Sequence, residues 1–158
     1  MSEGKYGKYI VHEPRGLVMV PERQTLPIFG VRGLQNLEGM GMTLGCSCIT
    51  EPWFMETEIM KHDFDQIVCF LGANPFDFFD FHAEIEFSFG EEMEKHVITS
   101  ASTIFIPRGL VHCPLNFTRV DSPILFMDIS LTAEYSRRLR EGKDWGAPLT
   151  LEDLKKRM

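Results

Sequence analysis

The chain has 158 residues, of which 44% are hydrophobic and 25% are charged, a composition typical of a soluble, single-domain globular protein. Its formal net charge of −7 argues against binding to the phosphate backbone of nucleic acids. No window approaches the roughly 20 apolar residues that a membrane-spanning helix needs, and residues 1–8 lack the apolar run of a signal peptide. We therefore expect a cytoplasmic protein that binds neither nucleic acid nor a membrane.

Residues 1–50 contain short apolar runs that are broken by Gly and Pro. These runs lie at residues 9–11, 17–20, 27–29 and 42–44. None of them sustains the helical period of 3.6 residues, so short N-terminal strands are predicted. The barrel core is predicted over residues 56–132, with strands at residues 59–71, 83–89, 96–99, 103–106, 112–120 and 124–131.

Helices are predicted only in a C-terminal tail over residues 133–158. Thr132 is placed to cap a helix over residues 133–140, which Gly142 would end. Thr150 and Asp153 form a capping-box pattern that opens a second helix over residues 151–157. Many short strands followed by a helical tail predict one all-β domain, built as a closed or two-sheet antiparallel barrel.

Four cysteines, Cys46, Cys48, Cys69 and Cys113, occur without an export signal, so reduced thiols are expected. The Cys46-Ser-Cys48 pair is either half of a thiolate metal site or two small residues on one face of a strand. The second interpretation is favoured because the chain has no other close pair of cysteines. Cys113 directly follows His112, so on a strand it is expected to face away from that histidine as a structural residue.

The most specific pattern in the chain is P-x-G-x-x-H-x-x-x-N, formed by Pro107, Gly109, His112 and Asn116. Proline fixes φ, and glycine adopts backbone conformations that other residues resist, so a tight turn between two strands is predicted here. A histidine follows near the start of the second strand. This spacing resembles the second sequence motif of the cupin family, which supplies the last metal-ligating histidine of a small β-barrel.

The first cupin motif carries two histidines two residues apart, a glutamate four residues after the second, and then a glycine. In the matching register, Met60 and His62 stand at the histidine positions and Gln66 at the glutamate position, followed by Gly72. A period of two independently places one set of residues on a single strand face, namely Met60, His62, Phe64, Gln66, Val68 and Phe70. The resemblance covers about residues 56–132. It implies a ligand set of Met60, His62, Gln66 and His112, with Phe64, Val68 and Phe70 lining an apolar pocket.

Because Met60 and Gln66 stand at two of the four ligand positions, the sequence leaves open whether the site binds a metal ion. An amide in place of a carboxylate removes a negative charge, and a thioether is a soft ligand that suits copper(I) better than Zn²⁺, Fe²⁺ or Mn²⁺. One alternative is a site that holds one divalent metal ion or a copper ion. The other is a metal-free cavity in which the two histidines act as hydrogen-bonding or acid–base groups. Met60 also fits the role of a gap-filling core residue.

The strand over residues 83–89 carries a second set of polar side chains. Glu84, Glu86 and Ser88 share one face, opposite Ala83, Ile85, Phe87 and Phe89. An amphipathic strand with its glutamates in water is the favoured interpretation. In the alternative, Glu84 or Glu86 enters the cavity and replaces the charge that is lost at Gln66. Glu86 is therefore retained as a candidate pocket residue.

The resemblance implies a cupin-type double-sheet jelly roll that takes a small molecule. Cupins of this size include dioxygenases, isomerases and lyases that act on small organic acids, sugars and phenols. An enzyme centred on His62 and His112 is therefore one hypothesis. The other is a non-catalytic binding protein whose metal site has degenerated. A homodimer is expected from the family and from the strands that are apolar on both faces.

Overall fold

A computed structural model of the chain describes residues 4–16 and 28–157. The strands are β1 (Phe29–Arg32), β2 (Thr43–Ile49), β3 (Trp53–Glu56), β4 (Met60–Lys61), β5 (Gln66–Gly72), β6 (Ala83–Phe89), β7 (Glu94–Ile98), β8 (Ser102–Ile106), β9 (His112–Val120), β10 (Ile124–Ser130), β11 (Ser136–Glu141), β12 (Asp144–Trp145) and β13 (Leu149–Thr150). The helices are α1 (Gly33–Asn36) and α2 (Leu151–Arg157), and a 3-10 turn covers Gly7–Tyr9. The run predicted at residues 17–20 lies outside the described residues.

The strands form two antiparallel sheets. The first has the order β1-β2-β10-β5-β8, and the second runs β12-β11-β4-β9-β6-β7, with β13 paired to β11 and β3 paired to β9. Strands that are distant in sequence therefore become neighbours, as in a rolled-up two-layer barrel. The predicted all-β fold, a double-sheet jelly roll with a short C-terminal helix, is confirmed. Among the described residues, no helix is long and apolar enough to cross a membrane.

The core lies between the sheets and follows the period of two along each strand. In β5, Val68 and Phe70 are buried, and their register partners on β10 also face inward. Phe70 packs against three other aromatic rings at centroid distances of 5.6–6.4 Å, those of Phe87, Phe117 and Phe126. Because this ring cluster joins both sheets, it fixes their separation around the space where the polar residues of the first motif lie.

The outer face of the five-stranded sheet is apolar across the three central strands. Register partners place one set of side chains on this face, namely Leu44, Cys46, Cys48, Ile67, Cys69, Leu71, Leu125, Met127 and Ile129. The flanking strands continue it with Phe29 and Val31 on β1 and with Phe105 on β8. Among these described strands, only Thr103 interrupts it with a hydroxyl. We call this surface the apolar face.

The strand predicted over residues 59–71 is interrupted. It forms β4 and β5, separated by the loop at residues 62–65. The alternation of burial nevertheless survives the interruption, since Met60, His62, Phe64 and Gln66 are all buried. The inward face of the first motif was therefore predicted correctly even though its backbone was not.

The helix predicted over residues 133–140 is wrong, because this segment contains β11. Strand pairing overrides its helical propensity: Leu139 pairs with Met60 and Arg138 pairs with Lys61. The strand predicted at residues 9–11 is also wrong, since a 3-10 turn ends at Tyr9 and no strand follows there. The second predicted helix is confirmed as α2. Its capping box is closed from both sides, with the Thr150 N–H donating to Asp153 Oδ2 at 2.9 Å and the Asp153 N–H donating to Thr150 Oγ1 at 3.3 Å.

The predicted turn after β8 is confirmed, and it docks onto the loop of the first motif. The Leu110 N–H donates to the Pro107 carbonyl at 3.0 Å, closing the turn, and Gly109 has a φ of 79°. The Gly109 N–H donates to the His62 carbonyl at 2.9 Å, and the Arg108 N–H donates to Asp65 Oδ1 at 2.8 Å. Two backbone donors of the second motif thus hold the loop that carries the first.

Replacing Gly109 with Ala isolates the cost of this left-handed turn. An added Cβ meets no atom within 4 Å, so backbone strain alone should destabilise the fold, by about 1 kcal/mol. The measurement is urea unfolding of G109A beside G41A. Gly41 also has open space around its Cβ but no positive φ, so its substitution should change stability by less than about 0.5 kcal/mol. Equal losses of stability in the two variants would show that the left-handed conformation of Gly109 carries no extra cost for alanine.

Candidate functional site

A cavity of about 220 Å³ lies between the two sheets. Its lining includes apolar side chains such as Val68, Phe87 and Leu115. The polar or reactive members of the lining include Glu56, Met60, His62, Gln66, His112, Cys113, Asp128, Tyr135 and Arg137. A small, mostly apolar cavity with a few converging polar groups is the usual form of a small-molecule site.

His62 and His112 meet in this cavity. They are 3% and 2% exposed, and their ring centroids lie 4.8 Å apart. His112 is the register partner of Met60, two residues before His62, so pairing of β4 with β9 brings the two motifs together. Phe64 and Tyr135 pack against the His62 ring at 4.8 Å and 5.2 Å and hold its orientation.

Both imidazoles are fixed in one tautomer by the backbone. His62 Nδ1 lies 2.8 Å from the Ser136 carbonyl oxygen, and His112 Nδ1 lies 2.9 Å from that of Leu110. A carbonyl oxygen only accepts, so each Nδ1 carries the proton and each Nε2 keeps a lone pair. Burial lowers the pKa of His62 to about 3, helped by the nearby His112, and burial also lowers the pKa of His112. The pair is therefore neutral at physiological pH and offers two acceptors.

Met60 and Gln66 line the same cavity, but each already contacts another side chain. The Met60 sulfur accepts a contact from Arg137 Nη1 at 3.8 Å, and Gln66 donates its amide Nε2 to Ser130 Oγ at 3.3 Å. Within the described part of the chain, the amide oxygen of Gln66 accepts no hydrogen bond. Met60 is 2% exposed and belongs to the hydrophobic core, in agreement with its interpretation as a gap-filling residue.

These residues suit a divalent metal ion poorly. Within residues 4–16 and 28–157, no group of three or more His, Cys, Asp or Glu side chains is arranged to hold one. Each imidazole has the backbone hydrogen bond that metal-ligating histidines usually make, but the two carboxylates of the cavity, Glu56 and Asp128, are not arranged to join them around an ion. Glu56 is paired with Arg137 instead. The guanidinium of Arg137 further lowers the pKa of both histidines, so it sets a positive potential where a cation would bind.

Arg137 is a cationic group of the cavity. Its side chain is 13% exposed, and its Nη1 donates to Glu56 Oε2 at 2.9 Å. Its Nε is buried without a hydrogen-bond partner among the described residues. An unpaired donor of a buried cation is unusual in a folded protein.

Two further ionisable groups line the cavity. Asp128 lies on the inner face of β10, and burial raises the pKa of its carboxyl to about 6. Burial also raises the pKa of the Tyr135 hydroxyl. Neither residue was predicted, although an Asp in the apolar run at residues 124–131 was a usable signal. Tyr135 and Arg137 were missed because their segment was predicted to be helical.

Cys113 does not face away from the site as predicted. It lines the cavity beside His112 and is 3% exposed. The cause is a bulge in β9: the register against β6 shifts between Phe87 and Phe89, and Cys113 has a φ of 72°. Strict alternation therefore fails at this residue. Burial raises the pKa of its thiol well above the ordinary value, so it is held protonated.

Three predicted pocket residues are placed elsewhere. Phe64 and Phe70 are buried, at 6% and 0% exposure, but they do not border the cavity. Glu86 is corrected to the outer face of β6, where its carboxylate accepts from Lys95 Nζ at 3.0 Å. Glu84 accepts from Thr118 Oγ1 at 3.1 Å on the same face. The favoured amphipathic interpretation of β6 is the correct one, and Val68 alone of the apolar candidates lines the cavity.

A scan against protein-family models finds no match, and a search of curated proteins finds no significant one. Solved structures do resemble the chain. A structure of oxalate oxidase in complex with the substrate analogue glycolate matches with a TM-score of 0.53 and 12% identity, over 84% of this chain and 64% of the other. A cupin-like protein from Thermotoga maritima matches with a TM-score of 0.45 and 14% identity, over 82% of this chain and 84% of the other.

The match is partial for the larger relatives. Against a recombinant oxalate oxidase in complex with glycolate, the TM-score is 0.47 at 12% identity, over 67% of this chain and 50% of the other. This chain therefore spans about half the length of that protein. At such identities the likeness concerns the path of the backbone.

The neutral histidine pair should leave a signature in the pH dependence of stability. The pKa of His62 is about 3 in the folded protein, against an ordinary value of 6.5, so the unfolded chain binds a proton first as the pH falls. Stability contributed by neutral His62 is then lost from about pH 6.5 downward, on the order of 2 kcal/mol between pH 7 and pH 5. Asp128 acts in the opposite direction, since its raised pKa favours the folded state as the pH falls through about 6.

The measurement is urea unfolding at pH 7 and pH 5 for the wild type, H62Q and H96Q. His96 is exposed on β7, so H96Q should keep the wild-type difference between the two pH values. In H62Q, the part of this pH difference in stability that comes from His62 should disappear, whatever the absolute stability of the variant. An unchanged difference in H62Q would show that His62 titrates normally in the folded protein.

Proposed function

Because the chain has the cupin fold, we propose that its cavity is a cupin-type small-molecule site, centred on His62 and His112 and working without a resident divalent metal ion. The observation that carries this proposal is the pair of buried, neutral imidazoles whose ring centroids lie 4.8 Å apart. Each presents an Nε2 lone pair that can accept a hydrogen bond from a ligand hydroxyl. The cavity of about 220 Å³ suits a ligand of a few heavy atoms.

Binding is favoured over catalysis by the low basicity of the pair. A general base works best with a pKa near the operating pH, and a His62 pKa of about 3 is far below it. The two imidazoles therefore orient a ligand through accepted hydrogen bonds and take no proton from it. This supports the interpretation as a non-catalytic binding protein whose metal site has degenerated.

A second candidate is an enzyme that transfers a proton within the same cavity. One observation favours it: the Asp128 carboxyl lines the cavity and its pKa is raised to about 6, within the range of a working acid or base. In that case Asp128 moves the proton while the histidine pair positions the ligand. Loss of turnover without loss of binding in D128N would separate this candidate from the first.

The test combines metal analysis with ligand binding. Protein purified without chelators should contain far less than one metal ion per chain, and it should still bind glycolate in calorimetry. H62F and H112F should each weaken glycolate binding about tenfold, because each keeps a ring but removes one acceptor, whereas the surface variant H96F should not. Glycolate is chosen as the probe because it is bound by the similar oxalate oxidase.

A gain-of-function variant tests the same arrangement by adding metal ligands to it. Met60→His together with Gln66→Glu adds an imidazole and a carboxylate to the two histidines and should create stoichiometric Zn²⁺ or Mn²⁺ binding. Stoichiometric metal in the wild type that disappears in H112A would overturn the metal-free proposal. No metal uptake by the double variant would show that these four side chains do not converge.

A further inference from the structure

We infer that Arg137 makes the cavity selective for small carboxylates over neutral molecules of the same shape. This inference rests on the proposed small-molecule site and names its ligand class. The cavity holds two acceptors on His62 and His112, which by themselves would suit a sugar or a phenol as well as an acid. Arg137 adds the feature that separates these classes, a buried positive charge.

The geometry leaves part of this charge available. Glu56 engages Nη1 at 2.9 Å, while Nε has no partner among the described residues and is shielded from water. An atom held inside the cavity can satisfy that donor. A guanidinium presents its donors as a planar fork that matches the two oxygens of a carboxylate, and such charge-assisted bonds are the strong ones in a dry site.

The histidines fit the remainder of such a ligand. With both Nδ1 protons committed to backbone carbonyls, each Nε2 accepts and cannot compete with Arg137 for the carboxylate. A 2-hydroxy acid would therefore place its carboxylate on Arg137 and its hydroxyl on an imidazole. The ligand class is a small hydroxycarboxylic acid.

Calorimetry with glycolate and glycolamide tests this inference. The two probes have the same shape and hydroxyl and differ in charge, so the wild type should bind glycolate at least tenfold more tightly. Arg137→Met should abolish that preference. Arg138→Met is the matched control, because Arg138 pairs with Asp63 on the opposite face of β11. Glu56→Gln should tighten glycolate binding, since it removes the carboxylate that competes for the guanidinium.

If Arg137→Met unfolds because Glu56 is left unpaired, the double variant R137M/E56Q removes both charges and serves instead. Equal binding of glycolate and glycolamide, with both weakened by H62F, would overturn the inference and leave the proposed function standing. A glycolate preference that depends on Arg137 but not on His62 or His112 would support the inference and overturn the proposal that the site is centred on the two histidines. Absence of any binding by either probe would overturn both.

Discussion

Two backbone hydrogen bonds between the loop at residues 62–65 and the turn at Pro107–Leu110 are the constraint on which the rest of the site depends. The Gly109 N–H holds the His62 carbonyl, and the Arg108 N–H holds the Asp65 side chain. Together with the pairing of Met60 and His112, they bring two distant segments within one cavity. The glycine is needed because its φ of 79° lies in the left-handed region, which residues with a Cβ resist. The side chains of the site are then placed by the backbone.

The positions of these side chains do not by themselves determine what they can bind. Their burial and charge also do so. Burial lowers the pKa of each imidazole and so favours its neutral form, and the hydrogen bond from its Nδ1 to a carbonyl selects the tautomer in which Nε2 is an acceptor. A carboxylate at position 66 would supply the charge that draws in a metal ion, but an amide stands there. Arg137 supplies the opposite charge. Residues 66 and 137 therefore set the charge that the cavity presents.

Much of this arrangement could be predicted from residue patterns, and the failures have physical causes. The period of two identified the buried face of the first motif, and P-x-G-x-x-H-x-x-x-N identified the turn and His112. Local propensity failed over residues 133–140, where helix-forming residues are held as a strand by pairing with β4. Alternation failed at Cys113, where a bulge turns the side chain inward. Both errors concealed cavity residues, because pairing and bulges are decided by distant parts of the chain.

The position of β11 has a wider consequence for how such proteins diverge. This one strand, outside both recognisable motifs, supplies the Ser136 carbonyl that sets the protonation of His62 and also the guanidinium of Arg137. The carbonyl belongs to the main chain and is kept whatever side chain stands at position 136, whereas the guanidinium is paired with Glu56 on β3. A lineage that removed this positive charge would therefore need two matched substitutions, one on β3 and one on β11, while every residue of the two motifs stayed the same.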